Sequence, residues 1–237
     1  MILWVAERAA AAESIDRVLV ATDDSRIAQL VRAHGYEARM TRTEHASGTD
    51  RLAEVASDLA DTEIIVNVQG DEPLISPDTI DAAVEALKND PEAGIATTWE
   101  SITDSADVLS TNVVKLVMGN RRRAIYFSRS PLPFPRDAVN KHGSLAAALQ
   151  VEPELVCAFK KHTGLYVYRR EVLLRFAAWQ PSTLERLERL EQLRALENGV
   201  MIAAVEAASA SIGVDTEADL RRVEALVETG GIVHTLH

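Results

Sequence analysis

The sequence predicts an α/β protein: a mostly parallel sheet covered by helices, with an antiparallel insertion. Three observations predict it. Through the first hundred positions, short apolar runs alternate with helix-like stretches of about ten residues, the pattern of βαβ units. After residue 100 the alternation gives way to two apolar runs flanking Gly119-Asn120, a hairpin signal. The chain has 237 residues, 47% hydrophobic and 26% charged, which suits a well-filled core.

Residues 2–13 read as an Ala-rich helix with Leu3, Ala6 and Ala10 on one side. Val18 to Ala21 is a buried strand ending in the turn formers Thr22-Asp23-Asp24. Ser25 to His34 is a helix, with Gly35 where a helix C-cap wants a left-handed residue. Glu37 to Met40 is a short strand, Asp50 to Leu59 a helix, and Ile64 to Val68 a strand buried on both faces. Pro77 to Lys88 is a helix with proline in its first turn, where the missing N–H costs nothing. Gly94 to Trp99 is the next strand. Val113–Met118 and Ala124–Phe127 form the hairpin, and residues 130–154 read as a Pro-rich, then Ala-rich connection. Thr163 to Tyr168 is a strand and Val172 to Phe176 a short helix. Thr183 to Asn198 is one helix closed by Gly199. Met201 to Val205 is a strand and Glu217 to Glu228 the last helix.

Charge and cysteine content narrow the function classes. Lys plus Arg is 25 and Asp plus Glu is 36, a net charge of −11, which disfavours nucleic acid and anionic membrane as partners. No apolar run approaches the roughly 20 residues of a membrane span. Cys157 stands alone, so neither an internal disulfide nor a cysteine zinc site is available. A cytoplasmic protein is expected. There is no GxGxxG and no Walker loop.

Six segments can carry chemistry. In Val66-Asn67-Val68-Gln69-Gly70-Asp71-Glu72-Pro73 an apolar strand ends in polar and flexible residues, and ligands of open sheets bind beyond strand ends. Gly70 is expected to turn the chain sharply and project Asp71, though Asp71 also reads as a plain turn former. In Gly213-Val214-Asp215-Thr216, Asp215 or Thr216 suits a helix N-cap. Paired with Asp71, Asp215 also suits a Mg²⁺ ion, which takes oxygen ligands. Ser47-Gly48-Thr49-Asp50-Arg51 opens a helix and offers N–H groups and hydroxyls to an anion, or simply caps the helix. Arg129 follows a strand and precedes Ser130-Pro131, where it can grip a carboxylate or phosphate or sit in a surface ion pair. Alternation puts His162, Gly164, Tyr166 and Tyr168 on one strand face. Leu184, Leu187, Leu190, Leu193 and Leu196 recur every three residues, so their arc spreads over about 240° and the helix is expected to be buried on several sides. Glu191 and Gln192 lie at its edge, placed to hydrogen-bond a polyol or to stand exposed at a rim.

These segments, with Val20-Ala21-Thr22-Asp23-Asp24 and Asn112-Val113-Val114-Lys115, stand in one order. Together they closely resemble the bacterial 3-deoxy-manno-octulosonate cytidylyltransferases, the CMP-Kdo synthetases. The resemblance implies one Rossmann-like nucleotidyltransferase domain over residues 1–237. It implies an insertion at about 100–165 that forms a homodimer contact, and the reaction of CTP with Kdo to CMP-Kdo and pyrophosphate. It implies Asp71 and Asp215 as magnesium ligands and catalytic groups. It implies Ser47, Gly48 and Arg51 on the nucleotide, and Gln69, Arg129, His162, Tyr166, Glu191 and Gln192 around the sugar.

The sequence departs from this family at its start. Family members begin with a strand and a Gly-, Arg- and Lys-rich loop that cradles the triphosphate, both preceding the equivalent of Met1-Ile2-Leu3. The chain therefore reads as N-terminally incomplete, through a late start, a truncation or a substituted segment. Two other readings stay open: a cytidylyltransferase for another keto-acid sugar (modified Kdo or sialic acid), and an inactive sugar-binding or dimerising remnant.

Overall fold

The computed structural model describes residues 1–45, 47–210, 213–214 and 216–228, with the backbone alone for 227 and 228. In chain order the elements are α1 (Ile2–Ala10), β1 (Leu19–Thr22), α2 (Ser25–Ala33), β2 (Glu37–Met40), α3 (Gly48–Ser57), β3 (Ile64–Asn67), α4 (Pro77–Asn89), β4 (Ala93–Ser101) and α5 (Ser105–Leu109). They continue as β5 (Lys115–Met118), β6 (Ala124–Ser128), α6 (Arg136–His142), α7 (Leu145–Val151), a 3₁₀ turn (Pro153–Ala158), β7 (Lys160–Arg169), α8 (Arg170–Ala178), α9 (Thr183–Glu188), α10 (Gln192–Glu197), β8 (Met201–Glu206) and α11 (Glu217–Glu228). The chain divides into two compact units, a division that the alternating pattern does not announce. The first is Met1–Val55, Val68–Asp81 and Ala208–His237; the second is Ala56–Asn67 and Ala82–Ala207.

The first unit contains a βαβ element. β1 and β2 pair in parallel, Leu19 opposite Glu37 through Thr22 opposite Met40, with α2 as the crossover. Asp24 caps α2 by accepting from Arg26 N at 2.8 Å, and Gly35 ends the turn at φ 82°, as its type predicts. α1 buries Val5, Ala6 and Ala9. Its exit is tied down by Asp81, whose carboxylate accepts from Glu13 N at 3.0 Å and Ser14 N at 2.8 Å.

The second unit is built on a six-stranded sheet, ordered β6-β5-β7-β4-β8, with β3 also on β7. β4 is its spine, buried from Ala93 through Trp99 as an apolar run predicts. The expected mostly parallel sheet needs correcting in its pairings. β4 and β8 are parallel, but β7 runs antiparallel to β3, β4 and β5, and β5 and β6 form the antiparallel hairpin. These pairings make β3, β4, β5 and β8 co-directional. A long reversed strand inserted among them turns their contacts antiparallel.

Two further expectations change. The helix over 183–198 is broken: Arg189 takes left-handed φ 56°, ending α9 before α10 begins. The break lets Glu185 and Arg194 meet as a buried ion pair, Arg194 Nε donating to Glu185 Oε2 at 2.8 Å. It also leaves Leu187 75% exposed, so the Leu arc is not buried all round. The connection over 130–154 holds α6 and α7. Leu149, with Ile102, Val108, Val156 and Phe159, forms a small core of its own. No helix among the described residues is long and apolar enough to cross a membrane.

Candidate functional site

In the first unit, the α3 N-terminus gathers three of the expected residues. Ser47 caps the helix, its Oγ accepting from Asp50 N at 3.2 Å. A Cβ on Gly48 would stand 4.0 Å from Gln69 Oε1, so Gln69 reaches this helix start. Arg51 is pinned: Nη2 donates to Asp23 Oδ2 at 3.0 Å and Nη1 to Thr41 Oγ1. It thereby ties the exits of β1 and β2 to α3. The preceding loop is held to the same helix, His45 Nε2 meeting Glu54 and Arg42 Nε donating to Glu54 at 3.2 Å.

Asp71 follows the β3 exit. The turn there is closed by Glu72 N donating to Gln69 O at 3.2 Å. Gly70 does not occupy the left-handed region, and a Cβ on it would meet Ile2 Cδ1 at an ordinary 3.6 Å, so the turn does not depend on glycine's freedom. Val214 N donates to Asp71 O at 2.8 Å, and a Cβ on Gly213 would stand 3.5 Å from Glu72 Oε1. Two of the singled-out motifs are therefore in backbone contact. Asp215, next in the chain after Val214, lies outside the described residues. No group of three potential metal ligands exists among the described residues. The donor chemistry nonetheless suits magnesium: Asp71 brings a carboxylate to the turn that Val214 N joins, and the Glu72 carboxylate stands beside Gly213.

In the second unit, β7 carries an aromatic row. His162 lies 4.9 Å from the Phe127 ring and 5.4 Å from Tyr166, and Tyr166 stacks on Tyr168 at 5.9 Å. This is the face that strand alternation predicts. Burial lowers the His162 pKa to about 3, so the ring is neutral at physiological pH. Burial, Tyr168 and the nearby Glu191 charge hold the Tyr166 hydroxyl protonated, well above its ordinary value. His162, Tyr166 and Glu191 are thus brought together, and Gln192 opens α10 as a buried amide, 7% exposed.

Arg129 is placed differently from the expected two-pronged grip. Its Nε donates to Glu188 O at 2.7 Å and its Nη1 to Thr111 O at 2.9 Å, so two prongs hold backbone. The Glu188 carboxylate accepts from Ser128 Oγ at 2.7 Å and Arg129 N at 2.9 Å. Lys115, 0% exposed, donates to Ser110 O at 2.7 Å and Val113 O at 2.6 Å. Burial, then the Arg129 charge, lowers its pKa against Asp107 and Glu188. Two cations therefore hold the carbonyls of the 110–113 loop.

Four functional candidates escape sequence reasoning. Thr97, on β4, bonds His162. Glu188 frames Arg129. Glu72 faces Gly213. Asn67, opposite Tyr166 at the end of β3, has a buried Nδ2 with no partner among the described residues. The only signal for Thr97 and Asn67 is a polar residue in an otherwise apolar strand; Glu188 carries none.

The fold and the comparisons define the class. A structure of 4-diphosphocytidyl-2C-methyl-D-erythritol synthase from Anaerococcus prevotii shares the fold, with TM-score 0.60 at 12% identity over 96% of this chain and 89% of that one. The sequence pattern of the cytidylyltransferase family matches residues 1–202, and the chain is a nucleotidyltransferase of that family.

Within it the kinship is narrower. The 3-deoxy-manno-octulosonate cytidylyltransferase of Syntrophotalea carbinolica is 52% identical over 95% of this chain and 87% of its own length. A CMP:2-keto-3-deoxy-manno-octonic acid synthetase, solved with CTP, superposes with TM-score 0.84 at 39% identity, over 96% of this chain and 87% of that one. The chain belongs to the 3-deoxy-manno-octulosonate cytidylyltransferases.

Proposed function

We propose that this chain transfers CMP from CTP to Kdo, releasing pyrophosphate, in the cytoplasm. Besides kinship, the observation that carries this reading is the Val214 N to Asp71 O bond, which joins the two motifs holding the family's aspartates. The sugar's anomeric oxygen attacks the α-phosphorus. The bond from that phosphorus to the bridging oxygen breaks, pyrophosphate leaves with the electron pair, and the hydroxyl proton passes to solvent. Asp71 and Asp215 would hold Mg²⁺, which supplies positive charge to the phosphates and acidifies the attacking hydroxyl. Ser47 and Gly48 offer the α3 N-terminus to the nucleotide. Arg51 positions that loop through Asp23 and Thr41. Arg129 offers its remaining N–H groups to the sugar carboxylate. Gln69, His162, Tyr166, Glu191 and Gln192 supply donors and acceptors for hydroxyls.

We further infer a homodimer joined through the 100–165 region. Phe134 and Val151, 59% and 61% exposed there, support it, since exposed large apolar groups favour burial against a partner.

The test is pyrophosphate release by the 237-residue chain with CTP, Mg²⁺ and Kdo, with sialic acid run alongside. Release with Kdo, abolished by chelation and reduced about 100-fold or more in Asp71→Asn at unchanged circular dichroism, is expected. Release with sialic acid but not Kdo overturns the sugar assignment, and wild-type rates from Asp71→Asn overturn the metal assignment.

A further inference from the structure

β4 and β7 pair out of register at one place. Thr97 faces Tyr166 and Thr98 faces Thr163, so Gly164 and Leu165 bulge from β7 without ladder partners on β4. A buried carbonyl freed in this way must find another donor. Leu165 O finds the Thr97 hydroxyl, Oγ1 donating at 2.8 Å inside the protein, where Thr97 is 0% exposed. The same oxygen lies 2.9 Å from His162 Nε2. A hydroxyl has one hydrogen. With that hydrogen given to Leu165 O, Thr97 Oγ1 meets His162 only as an acceptor, and Nε2 must carry the ring proton. In a neutral imidazole this leaves Nδ1 unprotonated. Nδ1 makes no hydrogen bond among the described residues.

We propose that Thr97 is a positioning residue that fixes His162 as its Nε2–H tautomer, so that the ring meets the sugar as a hydrogen-bond acceptor for one hydroxyl. The proposal rests on the assignment of His162 to the sugar. The bulge, the threonine and the histidine form one device: the bulge frees a carbonyl, the carbonyl takes the hydroxyl hydrogen, and the hydroxyl selects the tautomer. A sugar that offers a hydroxyl hydrogen at this point is recognised, and one lacking it leaves Nδ1 unpaired. Burial, which keeps the ring neutral, makes the tautomer the only variable left.

The experiment combines side-chain ¹⁵N NMR of histidine-labelled full-length protein, His162→Gln supplying the assignment, with steady-state kinetics of Thr97→Val and Thr97→Ser. The wild-type spectrum is expected to show protonated Nε2 and unprotonated Nδ1 on His162, and Thr97→Ser to preserve it. In Thr97→Val the selection is lost and KM for Kdo rises about tenfold, with kcat and KM for CTP little changed and serine restoring the value. A protonated Nδ1 in the wild type overturns the tautomer assignment without recourse to any variant. A tautomer that is selected in wild type and lost in Thr97→Val, with KM for Kdo unmoved, overturns the placement of His162 on the sugar instead.

Discussion

Replacing Arg194 by Met isolates the energetics of the buried pair that closes the α9–α10 bend. Met keeps most of the stem volume and removes the guanidinium. The Glu185 carboxylate, itself buried, loses its counter-ion. In the native protein burial pushes its pKa up, but the Arg194 and Ser182 hydrogen bonds outweigh this and hold it below the ordinary value of 4.5. Without Arg194 the carboxyl escapes by protonation. At pH 7 that costs about 1.36 kcal/mol for each of the roughly 2.5 units separating ambient pH from its ordinary pKa, about 3.4 kcal/mol, which caps the penalty that the lone carboxyl imposes on the variant. The guanidinium also sits 4.6 Å from the Phe176 ring centre, a contact of about 1 kcal/mol. The deficit is therefore about 4 kcal/mol at pH 7, or roughly 8–16 °C in Tm at this chain length. As pH falls to about 4.5 the protonation cost vanishes and the deficit narrows to about 1–2 kcal/mol. Urea titrations at both pH values measure it. The double variant Glu185→Leu/Arg194→Met is expected to regain most of the loss, because an apolar pair replaces an ionic one at little cost. A deficit under 1 kcal/mol at pH 7, or one equal at the two pH values, refutes the buried-charge reasoning. The variant also bears on activity, since Arg194 anchors the helix that Gln192 opens.

Three other outcomes are expected. Gly94→Ala places a Cβ 2.9 Å from Val172 Cγ2 and 3.0 Å from Val200 Cγ1, and overpacking against two stiff side chains lowers the urea midpoint by about 1–3 kcal/mol equivalent; an unchanged midpoint shows that the valines give way. Asp81→Ala removes the acceptor for Glu13 N and Ser14 N and costs about 1–2 kcal/mol. Burial raises the Asp81 pKa, but the hydrogen bonds hold it net below 3.8, so its contribution is full above 3.8 and lost as pH falls through the lower folded value. Wild type and variant should converge in acid denaturation curves; a gap that persists there means that Asp81 acts by packing alone. Glu188→Ala deprives Ser128 Oγ and Arg129 N of their acceptor and is expected to raise KM for Kdo about tenfold with KM for CTP unmoved. A rise for both substrates means that the whole fold, not Arg129, has loosened.

What the sequence makes legible is local. The apolar run of β4, the left-handed glycines at 35 and 199, and the shared face of His162 and Tyr166 follow from periodicity and backbone sterics. What it hides is partnership. Nothing in Lys160–Arg169 says that this strand enters reversed between β4 and β3, because pairing is decided by elements distant in the chain. Arg189 breaks an otherwise regular leucine pattern at a residue with no helix-stopping chemistry; the Glu185–Arg194 pair across the bend is a tertiary gain that outweighs propensity. The site divides in the same way. Asp71, Ser47 and His162 stand at strand ends and a helix start, where residue type is informative. Thr97 and Glu188 gain meaning only from the atoms opposite them.

The reversed strand sets a schedule for synthesis. β3 leaves the ribosome about 100 residues before the β7 segment that it pairs with, an interval of roughly 5–20 s at ordinary elongation rates. β4 waits for the same partner. For those seconds two apolar strands stand with open edges, the state in which nascent chains are captured by one another or by chaperones. The enzyme's yield in a cell is thus tied to how fast residues 100–160 are translated, and slow codons in that stretch lengthen the exposure.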